Sequence, residues 1–156
     1  MDYDYEFTID CEPVSQGRPK ARIIQPKGNR PPFVSVYDPS KSAKAKLEFA
    51  VSARQFAPEK LIDQAIRVDT TFYMPRPLYH YGTGRNSDKL KDSAPVFHTK
   101  RPDIDNLSKL VMDALTGVIW TDDSIVCKGF TEKVYDRKPR VEIRIKLLQE
   151  SNATLF

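Results

Sequence analysis

Four aspartates, Asp103, Asp105, Asp122 and Asp123, stand at the two ends of one short apolar-striped segment, with a lysine, Lys109, between them. Carboxylates gathered at one point repel one another unless a cation sits among them, and hard divalent ions prefer oxygen ligands. Such a cluster reads as a magnesium site. The ammonium of Lys109, one helical turn away, can hold a phosphate oxygen or stabilise charge that develops on it.

The segment between the acids decides whether they can meet. Leu107, Leu110, Val111, Ala114 and Leu115 recur at i, i+3, i+4, i+7 and i+8, which predicts a helix over 106–116 with one buried face. Pro102 pushes Arg101 toward an extended conformation, Asp103, Asp105 and Asn106 are capping types, and Gly117 is a natural stop. Residues two apart share a side only on extended backbone, so Asp103 and Asp105 are both expected just ahead of the helix, pointing the same way. A helix of that length spans about 16 Å, and the stretch from Gly117 to Asp122 reaches roughly 20 Å when extended. Asp122 and Asp123 can therefore return to the Asp103 end. Spacing alone leaves a plainer arrangement open, with Asp103 and Asp105 as helix caps, Asp122-Asp123 as a turn, and Lys109 paired with Asp113 on a solvated face.

The run Arg101-Pro-Asp-Ile-Asp-Asn-Leu-Ser-Lys-Leu-Val-Met-Asp-Ala-Leu-Thr-Gly117, followed by Trp120-Thr-Asp-Asp-Ser124, closely resembles the signature of RusA-type Holliday-junction resolvases. These are small endonucleases often carried by phages and prophages. Weaker likeness extends upstream to Gly17-Arg-Pro-Lys-Ala-Arg22 and Tyr37-Asp-Pro39. The resemblance implies that Asp103, Asp105 and Asp123 are the metal-binding, catalytic carboxylates, that Asp122 assists them, and that Lys109 is needed for catalysis. It implies Mg²⁺ as cofactor with Mn²⁺ as a substitute, a homodimer, and paired symmetric nicks in a four-way junction of branched DNA during recombination and repair.

The bulk properties agree with this. A chain of 156 residues with 40% hydrophobic content suits one domain, 1–156, with a proper core. A net charge of +4 permits a nucleic-acid partner. Cys11 and Cys127 are too few for a disulfide framework, the start lacks a signal-peptide pattern, and no apolar run is long enough for a membrane span, so a soluble, cytoplasmic protein is expected. His80 and His98 have no partner at zinc-ligand spacing, and Gly82-Thr-Gly84 lacks the strand, helix and third glycine of a nucleotide-binding turn, so no nucleotide cofactor is expected.

The elements that must position the acids follow from periodicity. Tyr3 to Cys11 alternates as a strand. A basic, turn-rich loop follows, in which Arg18, Lys20 and Arg22, together with Lys100 and Arg101 downstream, are the expected DNA-binding cations. Phe33 to Tyr37 reads as a second strand paired with the first. Asp38, Pro39 and Ser40 open a helix over 41–56 that turns Ala43, Leu47, Ala50 and Val51 inward. Ile66 to Met74 is a third strand. From Leu78 to Lys100 no period is visible, only aromatics such as Tyr79 and Phe97 among cations, which suits contact with unstacked bases and phosphates or else a mobile surface loop.

Ser124 to Tyr135 and Val141 to Leu147 are expected to form an antiparallel hairpin about Asp136 to Pro139, with a frayed tail from Gln149. The predicted fold is α+β, β-β-α-β-loop-α-β-β, with two main helices against a mixed or largely antiparallel sheet. Two other functions fit the acids less fully. One is a non-catalytic branched-DNA-binding protein with structural carboxylates. The other is a metal-dependent glycosyltransferase, which needs a nucleotide-binding α/β unit that the chain does not show.

Overall fold

The computed structural model describes residues 1–37 and 39–150. In chain order the elements are β1 (Tyr5–Ile9), β2 (Lys20–Ile24), β3 (Phe33–Tyr37), α1 (Ser40–Ala53), β4 (Ile66–Pro75), α2 (Ile104–Leu115), β5 (Val126–Asp136) and β6 (Arg140–Leu147). They build an α+β fold with a four-stranded mixed sheet in the order β1-β6-β4-β5 and a separate two-stranded ribbon of β2 and β3.

The strand with the longest buried run takes the centre. In β4 every residue from Val68 to Phe72 is buried, the pattern of a strand covered on both faces and both edges. It pairs antiparallel with β6 and parallel with β5. Parallel neighbours need a long crossover, and the loop plus α2 supply it. Val68, Thr70 and Phe72 of β4 lie directly across from Ile145, Ile143 and Val141 of β6. Phe7 and Ile9 of β1, Phe49 and Ala53 of α1, and Leu107, Leu110, Val111, Ala114 and Leu115 of α2 close the core over that face. The helix stripe read from the sequence is the buried face of α2.

On the opposite face Asp69, Thr71 and Tyr73 meet Arg144, Glu142 and Arg140. Asp69 is 2% exposed, and it accepts hydrogen bonds from the Tyr3 hydroxyl at 2.6 Å, from Arg67 Nε at 2.9 Å and from the Phe130 amide at 2.9 Å. One carboxylate thus ties the leading segment of β1 to β4 and β5. Among the described residues, no helix is long and apolar enough to cross a membrane.

Four expectations are corrected. First, β5 and β6 form no hairpin, because β4 lies between them. Second, β3 pairs with β2 and not with β1, whose partner is β6. The strand β2 hides in the basic run because proline and cations surround its short Ala21, Ile23, Ile24 pattern, and Gly28, at φ 87°, helps turn it back into β3. Third, α1 is rotated from its expected stripe. Ser42, Phe49 and Ala53 face the core, whereas Leu47 and Val51 are 63% and 53% exposed. Apolar residues lie on several sides of this helix, and the large Phe49 ring decides which side is buried. Fourth, residues 78–100 are built rather than structureless, with short 3₁₀ turns at Leu78–His80 and Gly84–Asn86. The capping role expected of Asp38 lies outside the described residues, as does most of the tail from Gln149.

Candidate active site

Helix α2 begins at Ile104, two residues earlier than the apolar stripe suggested. Asp103 is its N-cap residue, with extended backbone at φ −73° and ψ 146°, and Asp105 lies in the first turn. The two aspartates therefore do not share an extended segment. They sit at the helix start, where unpaired amides and the positive end of the helix dipole favour negative charge. The Asp103 side chain makes no capping hydrogen bond, and both carboxylates are exposed.

The segment leading to Asp103 is held from two sides. Residues 96–98 lie antiparallel along the free edge of β5, with the Tyr135 amide donating to Val96 O at 2.8 Å and the His98 amide to Lys133 O at 3.1 Å. The Lys133 ammonium then reaches past the edge and donates to the carbonyl oxygens of Lys100 and Pro102, each at 2.6 Å. The Arg101–Pro102 peptide is cis. From the other side, the Gln16 amide donates to Asn106 O at 3.0 Å, and Ser15 lines a groove with Arg101, Pro102 and Asp103.

The result is an open cleft of about 600 Å³ in which Asp103, Asp105 and Glu132 face Lys100, Arg101 and Lys133. Glu132 Oε1 accepts from Thr71 Oγ1 at 3.1 Å, which fixes one side of that carboxylate. His98 also lines the cleft, where burial and the nearby Lys133 ammonium hold its imidazole below the ordinary histidine range. Sequence reasoning missed Glu132 and Lys133. They read as the alternating residues of a strand, and only the packing of residues 96–103 against the β5 edge brings them to the acids.

The other predicted residues do not all join the cleft. Lys109 is exposed on the second turn of α2 and Asn106 is half-buried on the first. Asp122 and Asp123 follow the turn at the other end of α2, a helix about 18 Å long, and line no part of the cleft. Gly117, at φ 81°, ends α2 as expected, but the chain then closes a tight turn with the Gly117 amide on Trp120 O at 2.7 Å. Fully buried Trp120 anchors that turn, and the amide of Thr121 donates to Ile62 O at 3.0 Å. The residues that were to span back toward Asp103 are consumed by this turn. Asp122 instead accepts from the Ser124 amide at 2.8 Å, and Ser124 holds its carboxyl below the usual carboxylate range. Among the described residues, no group of three or more Asp, Glu, His or Cys side chains is arranged to hold a metal ion.

Arg18, Lys20 and Arg22 are exposed, on the segment that leads from the Gln16 contact with Asn106 into the β2–β3 ribbon. Arg18 follows the Gln16 anchor by two residues, and Lys20 and Arg22 project from one face of the β2–β3 ribbon, opposite Tyr37 and Ser35. The Arg22 guanidinium stacks 5.3 Å from the Tyr37 ring. Acids at a helix start, cations in the same cleft and a basic arm form a surface that can hold a phosphodiester backbone beside hard-oxygen ligands.

The sequence matches the family described as Endodeoxyribonuclease RusA over residues 10–146. It is also 38% identical over 144 residues to a protein of Bacillus subtilis (strain 168) that carries the name "Uncharacterized protein YqaN", covering 90% of this chain and 94% of that one. The family match runs from the residue after β1 almost to the end of β6, and so takes in the cleft, the basic arm and both aspartate pairs: the chain belongs to the RusA endodeoxyribonuclease family.

Proposed function

We propose that the protein is a magnesium-dependent, structure-selective endodeoxyribonuclease that resolves Holliday junctions as a homodimer, by paired nicks, in DNA recombination and repair. The observation that carries this reading is the sharing of one open cleft by Asp103 and Asp105 with Lys100 and Arg101, at the start of the helix that bears the family motif. Two free carboxylates fit magnesium, which is commonly bound through one or two carboxylates together with the phosphates of its substrate. When bound, the metal supplies Lewis-acid polarisation of the phosphate and an acidified water.

The chain's own groups do the rest. Asp103 and Asp105 supply the oxygen ligands, and the α2 dipole stabilises their charge. Lys100 and Arg101 offset the repulsion between carboxylates and DNA. Lys109, one turn along α2, reaches toward the phosphate, and Arg18, Lys20 and Arg22 track the backbone away from the cut. A two-fold pair of chains suits opposed nicks in a junction. It also offers a place for the far aspartates, with Asp122 and Asp123 of the partner subunit completing the ligand set at Asp103.

The test is cleavage of a synthetic four-way junction beside a linear duplex of the same sequence, with Mg²⁺ or EDTA, for the parent chain and Asp103→Asn. Nicking of the junction alone, abolished by EDTA and by the substitution, is the expected result. A chain that binds the junction yet never nicks it with Mg²⁺ or Mn²⁺ is instead a branched-DNA-binding protein.

A further inference from the structure

The loop between β4 and α2 builds a second cavity beside the first. Arg76 clasps its two ends, with Nη1 donating to Pro95 O at 2.7 Å and lying 3.3 Å from His80 Nδ1. The Lys91 amide donates to His80 O at 2.9 Å and the Gly82 amide to Lys89 O at 2.9 Å, so the loop is stitched across its middle as well. These bonds shape one wall of a half-open cavity of about 410 Å³, within the roughly 300–1,000 Å³ typical of ligand clefts.

The lining has a specific chemistry. His80, 4% exposed, stands edge-on between two aromatic rings, with centroids 4.7 Å from Tyr79 and 4.8 Å from Tyr135. Tyr79 is 58% exposed, its ring stands perpendicular to that of His80, and its hydroxyl accepts from the Lys100 ammonium at 2.8 Å. Lys91 adds a second cation, and among the described residues no acidic side chain lines the cavity. Thr99 and Lys100 belong to both cavities, so this one opens beside the Asp103–Asp105 cleft.

An exposed ring beside ammonium groups is what an unstacked base and its phosphate require. An apolar ligand gains nothing from the two cations, and an acidic peptide has no use for the aromatic platform. We propose that the cavity takes one unpaired nucleotide of the branched DNA next to the phosphate held in the cleft, with the base on Tyr79 and its phosphate between Lys91 and Lys100. The proposal rests on the nuclease reading for the identity of the DNA, and on the cavity alone for the nucleotide. A nucleotide captured here fixes which phosphodiester reaches Asp103, and thus makes an open branch point a better substrate than continuous duplex.

The experiment places 2-aminopurine at successive positions flanking the branch point of a four-way junction and follows its fluorescence on titration with protein in EDTA, so that binding is read without cutting. The parent chain should change the signal at one position beside the branch point. Tyr79→Ala should abolish that change and weaken junction binding about tenfold, as expected for loss of one base–aromatic stack, with linear duplex affinity unchanged. Tyr79→Phe should keep both signals, and thermal melts check that every variant is folded. If no position responds, or if Tyr79→Ala binds the junction like its parent, the proposal is overturned. Should the parent fail to bind the junction at all, a 2-aminopurine single strand is titrated next. Binding that depends on Tyr79 keeps the cavity assignment and removes the junction reading, whereas no binding removes both.

Discussion

The Lys133 ammonium donates to the carbonyl oxygen of Pro102 at 2.6 Å, so the residue before Asp103 is held by a side chain from the sheet edge. A second bond of the same length to Lys100 O fixes the segment at two points. Neither contact touches the acids, yet both determine where Asp103 stands.

Lys133→Met should therefore leave a folded protein that nicks junctions more slowly, by about a hundredfold, the scale on which roughly an ångström of misplacement acts. Lys133→Arg should restore part of the rate. Rates measured across a Mg²⁺ titration, beside thermal melts, check this. A slower maximal rate with a raised Mg²⁺ requirement and a small loss of stability is the expected pattern, and an unchanged maximal rate would show that the clamp is only structural.

The proposed completion of the ligand set across a two-fold predicts complementation. Asp103→Asn and Asp123→Asn should each be inactive alone, but mixed, re-equilibrated subunits should recover about a quarter of parental nicking, because half the pairs are mixed and each mixed pair rebuilds one site of two. No recovery from verified mixed pairs would place all ligands of each site in one chain.

His80 supplies a dependence on pH. Burial, and then the charges of Arg76, Lys100 and Lys91, hold its imidazole below the ordinary range. The unfolded chain takes up that proton near about pH 6.5, before the folded chain does, so the stability present above that pH is lost as the pH falls through it toward the folded value. Melting temperature should drop between pH 7.5 and 5.5, and His80→Gln should flatten part of the drop. His98, lowered by burial and Lys133, should account for a further part. Equal slopes in parent and variant would remove His80 from the explanation.

Asp69 works in the acid range. Burial raises its pKa, but the donors Arg67, Tyr3 and the Phe130 amide outweigh burial and leave it lowered. Its contribution is thus complete above about pH 4, the unfolded carboxyl value, and is lost as pH falls through the folded value. Asp69→Asn should cost about 2 kcal/mol at pH 7, the scale of hydrogen bonds to a charged group, and less at pH 3. Urea unfolding at the two pH values measures the difference.

Helix α2 was legible because its information is local. Leu107 to Leu115 repeat at helical spacing, and Gly117 stops the helix, whatever the rest of the chain does. The alternating strands β4 and β6 were legible for the same reason. In α1, by contrast, the apolar residues lie on several sides, and the choice of Phe49 over Leu47 and Val51 is made by what packs against it.

The sequence by itself determined the α+β class, the family and the chemical types at the helix start, since each is written in contiguous residues. Only the tertiary structure decided the neighbours. It put β4 between β5 and β6, because the strand with the longest buried run gains most from partners on both edges. It brought Lys133 and Glu132 to the acids from a strand about thirty residues downstream. It spent the stretch after Gly117 on burying Trp120, so that Asp122 and Asp123 stay at the far end of α2. The reach of a chain sets where a residue can go, and the apolar surface that must leave water sets where it does go.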